Sequence, residues 1–269
     1  MLDRDKLSVS VSLILVGLAL SRVVELPAGK GPVFLSLTVL GSPLRLELSK
    51  AWLVAPLLAG LACAGTDSIL RSHPLSRGST FAFWILPGLA TLLAAIFLPW
   101  APAWPYWLGG LALTGLFLPL VVVAEYHTVD PSDPRYNLAR LGLNVAAYLI
   151  ALVLFALIYR TRTRALLSAT ATLAGSGLLA LELLRGTQQS LRRTGLHALI
   201  VGLIMGEVVW ALNYWRMGSA TAAMFLLLTF YVLTGLSQQA ILGRFNRRVL
   251  LEFGLVALVG LALLLCFGP

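Results

Sequence analysis

No lysine follows Lys50 in this sequence, and charge of either sign is scarce: Asp, Glu, Lys and Arg make up 12% of its 269 residues. A retinal Schiff base in a late helix needs a lysine there, so rhodopsins are excluded. Soluble domains carry about 25% charged residues, so a chain wetted over most of its surface is excluded too. Cysteine is nearly missing. Cys63 and Cys266 both lie inside apolar blocks, which argues against a disulfide framework or a metal site. Also absent are G-x-x-x-x-G-K-[ST] for nucleotides, G-x-S-x-G for a nucleophilic serine and H-E-x-x-H for zinc. Paired Asp-rich motifs for prenyl diphosphates are missing as well. No cofactor and no metal is expected.

What the chain does have is apolar sequence in long unbroken blocks, 59% hydrophobic residues in all. A bilayer core about 30 Å thick takes roughly 20 helical residues, and a helix satisfies its own backbone there. Nine such blocks are present, at 7–27, 51–70, 81–99, 104–125, 137–159, 165–185, 194–215, 219–239 and 247–267. They predict an all-α polytopic transmembrane helix bundle of about nine spans, a single integral membrane domain over 1–269. The alternative is eight spans and one re-entrant segment, because the second block is the weakest and the third and fourth share a very short turn. The first block is too long for a signal-peptide core, carries Arg22 and Glu25, and lacks a small-x-small cleavage site. It reads as a retained helix.

A net charge of +9 suggests nucleic acid in a soluble protein. Here the basic residues flank apolar blocks, so no nucleic-acid partner is expected, and retention on the cytoplasmic side explains them. With the N-terminus inside, twelve fall on the cytoplasmic side: Arg4, Lys6, Arg71, Arg77, Arg135, Arg140, Arg185, Arg192, Arg193, Arg244, Arg247 and Arg248. Seven fall opposite: Lys30, Arg45, Lys50, Arg160, Arg162, Arg164 and Arg216. The expected location is a bacterial inner membrane, N-terminus cytoplasmic and C-terminus outside.

Between the first two blocks, Leu35, Leu37 and Val39 alternate with Ser36 and Thr38; after Gly41-Ser42-Pro43, Leu44, Leu46 and Leu48 alternate with Arg45, Glu47 and Ser49. Period-two alternation around a Gly/Pro turn predicts one small extracytoplasmic β-hairpin, capping the bundle, lying on the bilayer, or serving as a lid. Trp100, Trp104, Tyr106 and Trp107 read as an interfacial anchor. Gly202-x-x-x-Gly206, with Gly175 and Gly177, allows close helix contact, inside the chain rather than between copies. Asp67 with Arg71 echoes Glu182 with Arg185, the trace of a weak four-span duplication, 7–125 and 137–239.

Ionisable groups inside a membrane cost roughly 2.5–3.5 kcal/mol at a helix centre, so they mark candidate sites. Glu207 is the deepest. Trp210 and Tyr214 follow it on the same face, and with Tyr231 they form the expected substrate-binding set. The bland alternative is a structural carboxyl bonded to an Arg, Tyr231 or Asn213. A second, cytoplasmic cluster contains Asp67, Arg71, His73, Glu125 and His127, suited to acid–base work but without metal spacing. Asp133-Pro134 reads as a helix cap. Arg22 with Glu25, and Glu182 with Arg185, read as local pairs.

Gly65-Thr66-Asp67-Ser68-Ile69-Leu70-Arg71-Ser72-His73-Pro74, Glu207-Val208-Val209-Trp210 and Phe230-Tyr231 resemble segments of a bacterial family of uncharacterised polytopic membrane proteins. The resemblance covers most of the chain and implies a membrane location and a helix bundle, with no catalytic residue. The functional expectation is a small transporter or lipid-handling protein with a midplane polar site. The alternatives are a non-catalytic subunit or scaffold of a membrane assembly, and an intramembrane enzyme on a lipid-linked substrate. The expected partners are membrane lipids and another membrane protein.

Overall fold

The computed structural model describes residues 3–23, 33–39, 42–48, 51–74, 80–161, 165–187, 189–215 and 217–267. Among these, nine α-helices follow the apolar blocks: α1 Arg4–Val23, α2 Ala51–Leu70, α3 Ile85–Phe97, α4 Trp104–His127, α5 Tyr136–Thr161, α6 Ala165–Arg185, α7 Leu191–Leu212, α8 Ser219–Ile241 and α9 Arg247–Phe267. A 3₁₀ turn precedes α3 and another follows it, so that stretch runs continuously from Phe81 to Trp100. Seven helical stretches, those of α2 to α8, are long and apolar enough to cross a membrane.

Strands β1 Val33–Val39 and β2 Ser42–Leu48 pair antiparallel, Val33 opposite Leu48 and Val39 opposite Ser42. Gly41 and the side chains of this segment lie outside the described residues, as does Glu25.

The chain divides into two compact units, Met1–Tyr136 and Asn137–Pro269. In the first, α1 packs on α2 and α4, and α3 packs on α2 and α4. Ile14, Leu18, Leu58, Leu98, Trp107 and Leu118 share one core cluster. Small residues set the approach of the helices: a Cβ at Gly88 would stand 2.8 Å from Cys63 Sγ, and one at Gly65 would stand 2.9 Å from Ser10 Oγ. A second cluster of Ile69, Leu70, Val122 and Tyr126 lies nearer the end where α1 begins and α2 and α4 finish.

In the second unit, α7 lies against α6 with backbone almost touching. A Cβ on Gly202 would come within 2.7 Å of the Leu173 carbonyl oxygen, and one on Gly206 within 3.2 Å of the Ala169 carbonyl. The Gly202-x-x-x-Gly206 pair thus serves internal packing, as small-residue motifs do where helices cannot rely on a hydrophobic drive. α8 packs on α7 and carries α9; α5 joins it through Phe155 and Tyr148, both edge-on to Phe230. Gly243, at φ 69°, ends α8 in the left-handed conformation that glycine adopts without strain. Buried hydroxyls bond back to carbonyls one turn earlier, Thr66 to Ala62, Thr91 to Pro87 and Thr172 to Ser168, each at 2.8 Å.

Candidate functional site

Up-and-down threading of the first unit brings the start of α1, the end of α2 and the end of α4 to one side, with the α4–α5 turn. An open groove of about 1280 Å³ lies there. Leu7, Val11, Pro119 and Val123 supply apolar wall; Ser8, Ser12, Tyr126, His73 and His127 add polar atoms; Arg4, Arg135, Asp3 and Asp5 bring charge. Asp3 is held by Lys6 at 3.6 Å.

The α4–α5 turn is built by side chains that bond their own backbone. Asp130 Oδ1 accepts from the Ser132 amide at 2.9 Å and its hydroxyl at 2.7 Å. Asp133 Oδ1 accepts from the Arg135 amide at 2.8 Å. Its other oxygen, Oδ2, lies 2.7 Å from His127 Nδ1. The His127 bond first, and the Arg135 amide second, hold the Asp133 carboxyl below its ordinary value; the Ser132 hydroxyl and amide do the same for Asp130. An ionised carboxylate only accepts, so the imidazole donates through Nδ1. His73 is edge-on to Tyr126 with ring centroids 4.8 Å apart, and Tyr126 is edge-on to His127 at 6.0 Å. The arrangement can hold a polar head group, and the His–carboxylate pair can shuttle a proton.

The cytoplasmic cluster expected from sequence therefore divides. His73 and His127 both line the groove. Asp67 does not join them: it pairs with Arg71 at 2.7 Å and accepts the Thr80 hydroxyl at 2.5 Å, clasping the end of α2 to the start of the Phe81 turn. Glu125 is fully buried in α4, 3.5 Å from the Thr128 hydroxyl. Asp133, read from sequence as a helix cap with Pro134 opening the helix, stands three residues before α5 begins at Tyr136; one of its oxygens accepts the Arg135 amide within the turn and the other holds His127. The signal was present in a His and an Asp six residues apart across the turn between α4 and α5.

The second expected set lies elsewhere. Glu207 and Trp210 share a face of α7 as their spacing requires, Tyr214 follows two residues beyond the helix end, and all three are exposed. Tyr231 is on α8, beside Tyr148 and Phe253, with ring centroids 5.8 and 6.0 Å away. Asn213 donates to Ser168 Oγ at 2.7 Å rather than to Glu207. Arg22 lies over Trp104 and Trp107, 5.2 and 5.6 Å from the ring centroids, within cation–π range.

Among the described residues the most heavily bonded charge cluster is one of which the sequence showed only the Glu182–Arg185 pair and not Arg140. Glu182 is 1% exposed, and its Oε1 accepts from Arg140 at 2.9 Å and Arg185 at 2.8 Å. Arg140 also donates to the Glu182 and Leu183 carbonyls, at 2.6 and 2.7 Å. A Cβ at Gly186 would meet the guanidinium at 2.6 Å, so glycine is what lets it lie across the end of α6.

The family model described as Protein of unknown function (DUF5656) matches residues 30–267. The chain belongs to that family. No curated protein and no solved structure gives a significant match. The matched range takes in α2 to α9, and with them His73, His127, Asp133 and Glu207; the α1 wall of the groove precedes it. Among the described residues, no group of three or more His, Cys, Asp or Glu is gathered as a metal site.

Proposed function

We propose that this DUF5656 protein is a lipid-handling membrane protein whose N-terminal unit binds an amphiphile, with a phosphate-bearing head in the groove and an acyl tail along its wall. The observation that carries this reading is the groove's division into a polar mouth and an apolar wall. Arg135 and Arg4 suit a phosphate because guanidinium forks match its oxygens, and His73 and His127 add donors. Asp3 and Asp5 oppose them, so the head group is recognised by position rather than by bulk positive charge. Leu7, Val11, Pro119 and Val123 continue into the membrane beside the tail. With the N-terminus inside, the mouth opens on the cytoplasmic leaflet.

Native mass spectrometry of the purified chain, exchanged into mixed phosphatidylglycerol and phosphatidylcholine, tests the reading. The intact protein retains the anionic lipid preferentially. Arg135→Ala with His127→Ala lowers that retention about tenfold, the loss expected when about 1.4 kcal/mol of head-group contact goes, and Val123→Trp blocks the tail. Equal retention of both lipids, or retention unmoved by all three changes, removes the proposal.

A further inference from the structure

α7 shows two faces. Gly202 and Gly206 turn one of them onto α6, and Met205 and Val209 are buried with them. The other face is a seam of Leu196, Ile200, Leu203, Glu207 and Trp210, every one exposed. The spacing alternates four and three, the period with which one helix presents itself to another. An apolar outer face by itself only meets lipid. The carboxyl within it does not.

Glu207 precedes the helix end at Leu212 by about 8 Å of axial rise, at 1.5 Å per residue. Tyr214 and Trp215, both exposed just beyond, mark the headgroup level where such rings collect. Helical side chains lean toward the N-terminus, so the carboxyl leans toward the bilayer middle and away from the nearer surface. It makes no hydrogen bond or ion pair with a described residue. Placed so against lipid it carries an unfavourable cost that a cation on a docked helix removes.

The described helices of a second copy offer no such cation at that depth. Among the described helices, Arg140 is the one Lys or Arg beyond a terminal turn, and it is spent on Glu182 and the end of α6. We propose that the outer face of α7 docks a transmembrane helix of another protein, carrying an Arg or Lys that pairs with Glu207 between apolar neighbours. This interface is independent of the groove: it sits on a different unit and needs no lipid.

The test uses the full-length protein in its own cells, with a photo-crosslinking phenylalanine placed at Leu203, at Trp210, and at Met205 on the buried face as control. Crosslinks from Leu203 and Trp210, and none from Met205, should map to one transmembrane peptide containing Arg or Lys. Glu207→Gln and Glu207→Leu should each reduce the yield about tenfold while leaving melting in detergent unchanged, because the carboxyl supports nothing inside this chain. Glu207→Arg should abolish the crosslink, and an Arg→Glu change in the partner helix should restore it. Crosslinks to lipid alone, to a second copy of the chain, or to a peptide without a basic residue overturn the proposal, as does a yield indifferent to Glu207.

Discussion

Removing Arg140 withdraws three hydrogen bonds at once, one from the Glu182 carboxylate and two from the last carbonyls of α6. Helix ends leave such carbonyls without partners of their own. Breaking a buried ion pair by deleting one member costs about 3–5 kcal/mol, so Arg140→Ala should lower the unfolding free energy by that order, measured by thermal or denaturant unfolding in detergent. Arg140→Lys should recover only part, since an ammonium cannot fork between a carboxylate and two carbonyls. Equal stability of the wild type and Arg140→Ala would mean that the cluster is ornamental. None of this is legible along the sequence, because Arg140 and Glu182 sit on different helices and no periodicity links them. The i,i+3 spacing of Glu182 and Arg185 is legible and does form a contact, yet it hid the more distant partner.

The titration of Asp133 belongs to the same scale. Its carboxyl is held below the usual Asp value of about 3.9 by His127 and the Arg135 amide. A depressed folded value stabilises the folded turn above the unfolded value, and that contribution disappears as pH falls through the folded one. Acid should therefore loosen the α4–α5 turn below about pH 4, read as protease cleavage between His127 and Tyr136. Asp133→Asn should flatten the acid-dependent part of that profile, and an unchanged profile would contradict the assignment.

At the scale of elements, the glycines of α7 separate by environment although they look alike in sequence. A methyl on Gly202 meets a backbone oxygen at 2.7 Å, whereas one on Gly195 meets nothing within 4 Å. Overpacking typically costs about 1–3 kcal/mol, and a helical Gly→Ala change at an open site gains about 0.4–1 kcal/mol. Gly202→Ala should accordingly lower the melting temperature in detergent and Gly195→Ala should hold or raise it; the reverse order would mean that α6 and α7 are not packed through Gly202. Helix existence was readable from block length because a bilayer demands it. The inward face was not, since a membrane helix is apolar all round and its hydrophobic pattern carries little direction. That is why Glu207 reads as a site residue in sequence and stands on the outer side of α7 in the structure.

At the scale of the whole molecule, span parity and charge decide orientation together. If all nine helices cross the membrane, the two ends lie on opposite sides, and the twelve-to-seven distribution of basic residues that an N-terminus inside gives would favour that orientation. The groove then has a fixed side as well, because the start of α1, the end of α2, the end of α4 and the start of α5 alternate in phase. Two measurements follow from one topology. A phosphatase joined after Pro269 should be active, as it folds only outside the cytoplasm. Arg135→Cys should resist a membrane-impermeant maleimide applied to intact cells and react once the cells are opened. An inactive phosphatase together with a protected thiol at that position would reduce the count to eight crossings and leave the groove in place. Labelling of the introduced thiol in intact cells would turn the groove to the outer leaflet, and the head group it meets would be drawn from the lipids found there.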